Sequence, residues 1–224
     1  MAEDAGGFIE TERKYDAEAD FTLPDLAGLD GVAAVTGPQT YRLRAIYYDT
    51  ADFRLAAAKI TLRRRTGGTD AGWHLKLPAG VDSRREVHAP LGRGACSVPS
   101  RLAELVARSS GGQPLRPIAR LATTRRLRRL AGRDAEVLAE VADDLVIGSL
   151  PAPAAAGSGA VDPGGPGMPE WREESRWREI EIELVTGPRE LLDSAGDRLC
   201  RAGAAPSAAA SKLSRLLASA PGAP

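Results

Sequence analysis

Residues 177–187, WREIEIELVTG, set Glu179, Glu181 and Glu183 in strict alternation with Ile180, Ile182 and Leu184. A period of two is that of a β-strand, whose successive side chains point to opposite faces. The stretch therefore reads as a strand with one apolar face and one face carrying a row of three carboxylates. Such a row repels itself unless positive charge stands beside it. The sheet this strand joins has to supply that charge on one face and a covering layer on the other.

A second stretch poses the same problem near the N-terminus. In FIETERKYD, residues 8–16, Glu10, Glu12 and Lys14 occupy every second position. As a helix, Glu10 and Lys14 form an i,i+4 pair worth a few tenths of a kcal/mol. As a strand, the three charges share one face while Ile9, Thr11 and Tyr15 share the other. Taken alone the stretch fits both, and the rest of the chain decides.

With 224 residues, 43% of them hydrophobic, the chain can bury one sizeable core. Thirty basic residues balance thirty acidic ones, which argues against a dedicated duplex-binding surface and leaves room for a local site for a small polyanion. Cys96 and Cys200 are too few for a disulfide framework or a cysteine metal cluster. No N-terminal pattern resembles a signal peptide and no apolar run reaches membrane-spanning length, so a soluble cytoplasmic protein is expected, monomeric or homodimeric, with no membrane partner. Only four of the thirty bases are lysines: Lys14, Lys59, Lys76 and Lys212.

Strand patterns recur along the chain. YRLRAIYYDT (41–50), KITLRRR (59–65), GWHLKLP (72–78), SRREVHAPL (83–91), and the pair 117–131 and 135–150 turning at Gly132 all qualify. VPSRLAELVARSS (98–110) carries Leu102, Leu105 and Val106 at helical spacing, and the tail from Pro188 is helical with a break at GAAPS (203–207). Asp49 and Thr50 are placed to cap a short helical stretch after the second strand; Asp49 could instead serve a site. Residues 151–170, almost all Pro, Ala, Gly and Ser, read as a flexible insertion in a single domain spanning 1–224. About eight strands, mostly in hairpins, predict an α+β fold: an antiparallel β-barrel, whose closure removes exposed edges, with helices packed outside and a helical C-terminal tail.

For one strand, the ordinary reading of a charged face is contact with water. The series argues otherwise. Arg63 and Arg65 share a face, Lys76 lies with His74, and Arg84 with Glu86, each backed by apolar neighbours opposite, although Arg64 and Arg85 share those backing faces and leave the alternation imperfect. If helices cover the outside, the charges point inward, where buried ions demand partners. Carboxylates without convergent His or Cys suit a hard cation such as Mg²⁺ or Mn²⁺. Clustered guanidinium and ammonium groups suit phosphate oxygens.

Seven short segments in this order, IETERKY, YYDT, ITLRRR, LKLP, RRE, EIEIEL and SKLSRLL, resemble the CYTH domain of the triphosphate tunnel metalloenzymes, over nearly the whole chain outside the insertion. The resemblance implies an eight-stranded tunnel that binds a triphosphate with a divalent metal, in a family that includes class IV adenylate cyclases, thiamine triphosphatases, RNA triphosphatases and tripolyphosphatases. Carried onto this sequence, it implies metal binding by Glu10, Glu12, Glu179, Glu181 and Glu183. It implies phosphate binding by Lys14, Arg63, Arg65, Lys76, Arg84, Arg125 and Lys212, with Glu86 and Glu140 in support and Glu10, Glu12 and Lys14 at the chemistry. Lys212 would reach the tunnel mouth or be solvated; Arg120 and Arg125 fall on opposite faces of a regular strand; Glu140 and Asp144 share a face, with Asp143 turned outward. Lys59 stands where the family commonly has a small turn residue. His74 and His88 read as ordinary strand residues, Trp171 and Trp177 as packing residues, and no aromatic is expected on the tunnel face between Lys14 and Lys76.

Three functions follow. The leading expectation is metal-dependent hydrolysis of a triphosphate, above all tripolyphosphate. A class IV adenylate cyclase ranks below it, because no adenine-reading element is visible. A polyphosphate-binding module is the third, since many relatives carry a helical CHAD domain after CYTH, whereas this chain ends within the CYTH motifs; the intact acidic rows favour catalysis.

Overall fold

A computed structural model of the chain describes residues 7–80, 82–92, 97–152 and 168–219. Cys96 and all but the ends of the Pro/Ala/Gly-rich insertion lie outside the described residues. The elements run β1 (Phe8–Ala17), β2 (Ala34–Asp49), α1 (Arg54–Ala57), β3 (Thr61–Thr66), β4 (Gly72–Gly80), β5 (Ser83–Ala89), α2 (Ser100–Ser110), β6 (Arg116–Ala131), β7 (Val137–Pro151), β8 (Trp171–Leu184), α3 (Glu190–Arg201), β9 (Ala205–Pro206) and α4 (Lys212–Ser219).

Eight strands form one antiparallel sheet in the order β5-β4-β3-β2-β6-β7-β8-β1, and β1 pairs back onto β5 to close it. The two-residue β9 adds to β1. The FIETERKYD stretch is thus a strand. Pairing on both sides with β5 and β8 closes the barrel and buries Tyr15 beneath α3, gains that a helix held by one ion pair worth tenths of a kcal/mol lacks.

Alternation then sorts the side chains. Tyr15, Val141, Ile180 and Ile182 face outward, and α3 covers them with Leu191, Leu192, Ala195 and Leu199. Tyr48, Leu62, Trp73, Leu75 and Val87 face outward on the other side, under Leu102 and Val106 of α2. The C-terminal tail adds a feature that the sequence reading does not contain. Leu213, Leu216 and Leu217 of α4 pack on Ala45, Tyr47, Leu121 and Val146. Those four residues have the parity of the inward-facing Arg125 and Asp144, so α4 stops one end of the barrel from within. Gly148 makes room for it: a Cβ there would lie 2.6 Å from a Leu216 methyl. Ser211 and Ser214 cap α4 reciprocally, each side-chain oxygen accepting from the other's backbone N–H (3.0 and 2.9 Å). Among the described residues no helix is long and apolar enough to cross a membrane.

Asp49 turns out to be a cap. Its buried carboxylate accepts from the backbone N–H groups of Thr50, Leu55 and Ala56 at 2.7, 2.8 and 2.9 Å, while Thr50 Oγ1 accepts from Arg54 N–H at 3.0 Å. It pins α1, shortened to Arg54–Ala57, to the end of β2. Replacing Asp49 with Ala strips three donors of their acceptor and should lower unfolding free energy by about 1–2 kcal/mol. Urea melts check this; a loss of turnover per folded molecule would instead assign Asp49 to the site.

Candidate active site

The inward faces enclose a cavity of about 320 Å³ lined by seven cationic side chains and seven carboxylates. The registers build it. On β1 and β8, Glu12 lies opposite Glu183 and Lys14 opposite Glu181. Glu10 faces Arg84 of β5, Lys76 of β4 faces Glu86, and Arg125 of β6 faces Asp144 of β7. Arg63 and Arg65 enter from β3, and Glu140, beside Glu183, from β7.

At the closed end, Lys212 at the start of α4 is buried and paired with Asp144, Glu179 and Glu181 at 3.0, 2.7 and 2.8 Å. It is not solvated. Arg125 meets the fully buried Asp144 through two hydrogen bonds, 2.8 and 2.7 Å, and reaches Glu181 at 2.8 Å. Burial opposes an ionised Asp144, but Lys212 and Arg125 hold its carboxyl below the ordinary range. Glu179 does not line the cavity; it lies behind it, between Lys212 and the Trp177 indole.

Midway, Lys76 pairs with Glu10 (2.5 Å) and approaches Glu86 (3.4 Å), and Lys14 pairs with Glu12 (2.5 Å) and approaches Glu181 (3.3 Å). Arg63 donates to the Tyr47 hydroxyl at 3.3 Å, Arg65 pairs with Asp70, and Arg84 donates to the Ala210 carbonyl at 2.6 Å. Glu140 pairs with Arg129 at 2.9 Å. Asp143 turns outward onto Arg178, and Arg120 lies over the Trp171 ring, so neither reaches the cavity. Lys59 holds φ of +58° in the turn before β3, a conformation that favours small residues.

Two expectations are corrected. Imidazoles do converge on a carboxylate: His74 Nδ1 and His88 Nε2 lie 2.6 and 2.9 Å from Glu86 Oε1. Burial, with the Arg63 and Arg65 charges, pushes the His74 ring down to about 4 despite Glu86. An aromatic also lines the cavity, Tyr47, whose hydroxyl serves Arg63. The histidine signal was present in the strand parity, since His74 shares the face of Lys76, and His88 that of Glu86, whereas Tyr47 is placed by the β2–β3 register, which sets it opposite Arg63.

The residues fit a hard cation and a polyanion. Glu12, Glu183 and Glu140 stand in register across β1, β8 and β7, and Glu183 makes no ion pair among the described residues. Like charges directly opposite destabilise a sheet. Burial raises Glu183, with Glu12, Glu181 and Glu86 adding to it against Lys76; burial and the hydrogen bond to Glu86 push Glu10 up to about 8. Burial opposes an ionised Glu12, but Lys76 and Lys14 hold it below the ordinary range, so Glu10 and Glu183 are the carboxyls short of the positive charge that a divalent cation would supply. On the opposite wall the Nε groups of Arg63 and Arg65 are buried without hydrogen-bond partners. Burial and the Arg63 and Arg125 charges push Arg65 down to about 9. A guanidinium resists deprotonation, so that shift expresses positive charge that an anion would relieve.

A family model described as the CYTH domain matches residues 9–217. Two uncharacterised Mycobacterium tuberculosis proteins, MT2285 of strain CDC 1551 and Rv2226 of strain H37Rv, are each 43% identical to the chain over 219 residues, or 96% of it. The chain spans 41% of the length of these relatives. Among solved structures, a candidate adenylate cyclase from Bacillus halodurans superposes with a TM-score of 0.57 at 18% identity, covering 94% of this chain and 98% of that one, a likeness of fold. The closed barrel, its inward rows of charge and the match over nearly the full length agree: the chain belongs to the CYTH domain family.

Proposed function

We propose that the protein is a divalent-metal-dependent triphosphatase whose best substrate is inorganic tripolyphosphate. One observation carries this reading: a single cavity sets a wall of carboxylates against a wall of guanidinium and ammonium groups. Glu10, Glu12, Glu181 and Glu183 would hold Mg²⁺ or Mn²⁺, with Glu179 supporting them from behind through Lys212. The bound cation would neutralise phosphate oxygens and polarise the terminal phosphoryl group. Arg63, Arg65, Lys76 and Arg84 bind the remaining oxygens, and the unpartnered Nε groups of Arg63 and Arg65 have donors free for them. Lys14 sits within the carboxylate wall, paired with Glu12 and Glu181, and would carry positive charge to the phosphate from that side. Arg125 and Lys212 are engaged with Asp144 and Glu181, so they set the charge of the floor; Arg125 would turn its Nη1 N–H groups to phosphate, whereas the three N–H groups of Lys212 are committed to Asp144, Glu179 and Glu181. Glu140, held by the half-exposed Arg129, would orient the attacking water.

Binding energy in this cavity comes from charge. Tyr47 is committed to Arg63, and Phe8 at the rim is half exposed, so a nucleoside adds bulk and little attraction. Incubated with Mg²⁺ or Mn²⁺, the protein should release phosphate from tripolyphosphate faster than from ATP or thiamine triphosphate and form no cyclic AMP from ATP. Cyclic AMP among the products would favour a class IV adenylate cyclase. Tight polyphosphate binding with no hydrolysis would favour a binding module.

A further inference from the structure

We propose that His74, Glu86 and His88 form a second metal site, suited to a borderline transition cation such as Zn²⁺ and separate from the carboxylate site for a hard cation. The β4–β5 register sets His74 opposite His88 and Lys76 opposite Glu86, which brings both rings to one carboxylate. One ligand atom from each residue falls within 4.8 Å of the others, and the two ring centroids are 4.2 Å apart.

The hydrogen bonding of His74 points to a cation between these groups. Its Nε2 lies 2.9 Å from the Asp70 carbonyl oxygen, which can only accept, so Nε2 carries the ring's proton. In the neutral ring, Nδ1 then turns a lone pair towards Glu86 Oε1 at 2.6 Å, and a carboxylate oxygen is also an acceptor. Two acceptors at that distance need something positive between them. A histidine that ligates metal ordinarily donates its other N–H to a carbonyl or carboxylate, which is the arrangement here.

The donor set names the class of ion. Two imidazoles and a carboxylate match three-ligand zinc sites that keep a fourth position open, and nitrogen donors favour zinc over magnesium. With zinc–nitrogen bonds of about 2.0–2.1 Å, tetrahedral donors lie roughly 3.3 Å apart, so the 2.6 and 2.9 Å contacts of the two rings to Glu86 have to widen on binding. His88, at 43% side-chain exposure, provides the movement and the route of entry. Glu86 Oε2 lies 3.4 Å from Lys76, so filling the site also alters the charge balance of the phosphate wall.

The test uses the full chain stripped with a chelator and held in saturating Mg²⁺, which occupies the carboxylate site. Zn²⁺ is titrated by calorimetry and Co²⁺ by visible absorption. One equivalent of each should bind in the presence of Mg²⁺, and Co²⁺ should develop the d–d bands of a nitrogen-ligated, low-coordinate ion. Removal of the buried His74 risks the fold, so His88→Ala and Glu86→Gln, checked by circular dichroism, carry the comparison. Each should weaken Zn²⁺ binding about tenfold or more. Absence of binding overturns the proposal, as does binding that neither substitution affects. So does an NMR titration that finds His74 as an imidazolium at neutral pH, because a proton would then fill the gap.

Discussion

Glu10→Gln or Glu12→Gln should abolish metal-dependent turnover, by a factor of about 10³ or more, while leaving a folded barrel. Loss of one ligand from a charge-clamping metal site removes several kcal/mol of transition-state stabilisation, and each 1.36 kcal/mol is tenfold in rate. The stability side has a definite sign at Glu10. Its carboxyl is raised from 4.5 to about 8, by burial first and then by its hydrogen bond to Glu86. Between those pH values the folded metal-free protein holds a proton that the unfolded chain releases, so stability falls as pH rises through the window. Glutamine has no proton to lose. The Glu10→Gln variant should therefore show a flatter decline and overtake the wild type in alkali. Added Mg²⁺ or Mn²⁺ should raise the melting temperature of the wild type and barely move that of either variant. Wild-type turnover at limiting metal in either variant would show that the hard cation sits elsewhere.

The second large effect belongs to Lys212. Lys212→Met should cost about 3–5 kcal/mol, the usual range for removing one partner of a buried ion cluster. Asp144, Glu179 and Glu181 all lose an ammonium within 3.0 Å, and the remaining Arg125 already serves two of them. Burial tends to lower the charge on Lys212, but Glu179, Glu181 and Asp144 overcome it and hold the amine well above its ordinary range. That stabilisation is complete below the unfolded-state value and is lost only as pH rises through the folded one, so the deficit of the variant should be undiminished at neutral pH. Denaturant melts of the two proteins measure it. A difference below about 1 kcal/mol would mean that the three carboxyls take up protons at little cost, and that α4 is held by Leu213, Leu216 and Leu217 alone.

Much of the fold was legible because alternation is a local property. Glu179 to Leu184 declare a strand without help from any partner, and the parity of Arg63, Lys76 and Glu86 carries over directly to the cavity wall. Relations between strands were not legible. Lys212 remained open between solvent and tunnel because its burial depends on α4 entering the barrel, which rests on Gly148 lacking a side chain opposite Leu216. Glu179 shares the parity of Glu181 and Glu183, yet it ends behind the cavity, because one pleat along β8 is enough to pass from the open lumen to the floor beneath Lys212. His74 and His88 are fourteen positions apart, and only the β4–β5 register brings them together on Glu86.

Closure through β1 also sets an order of events during synthesis. Lys14 pairs across from Glu181, roughly 170 residues later in the chain. At a translation rate of ~5–20 residues per second, the first strand leaves the ribosome roughly 8–30 s before its neighbour on that side has been made. A strand with open edges invites pairing with other chains, and charged side chains are a common protection against it. Glu10, Glu12, Arg13 and Lys14 place charge on both faces of β1 throughout that wait. The groups that line the lumen of the finished barrel thus first keep a nascent strand from finding the wrong partner.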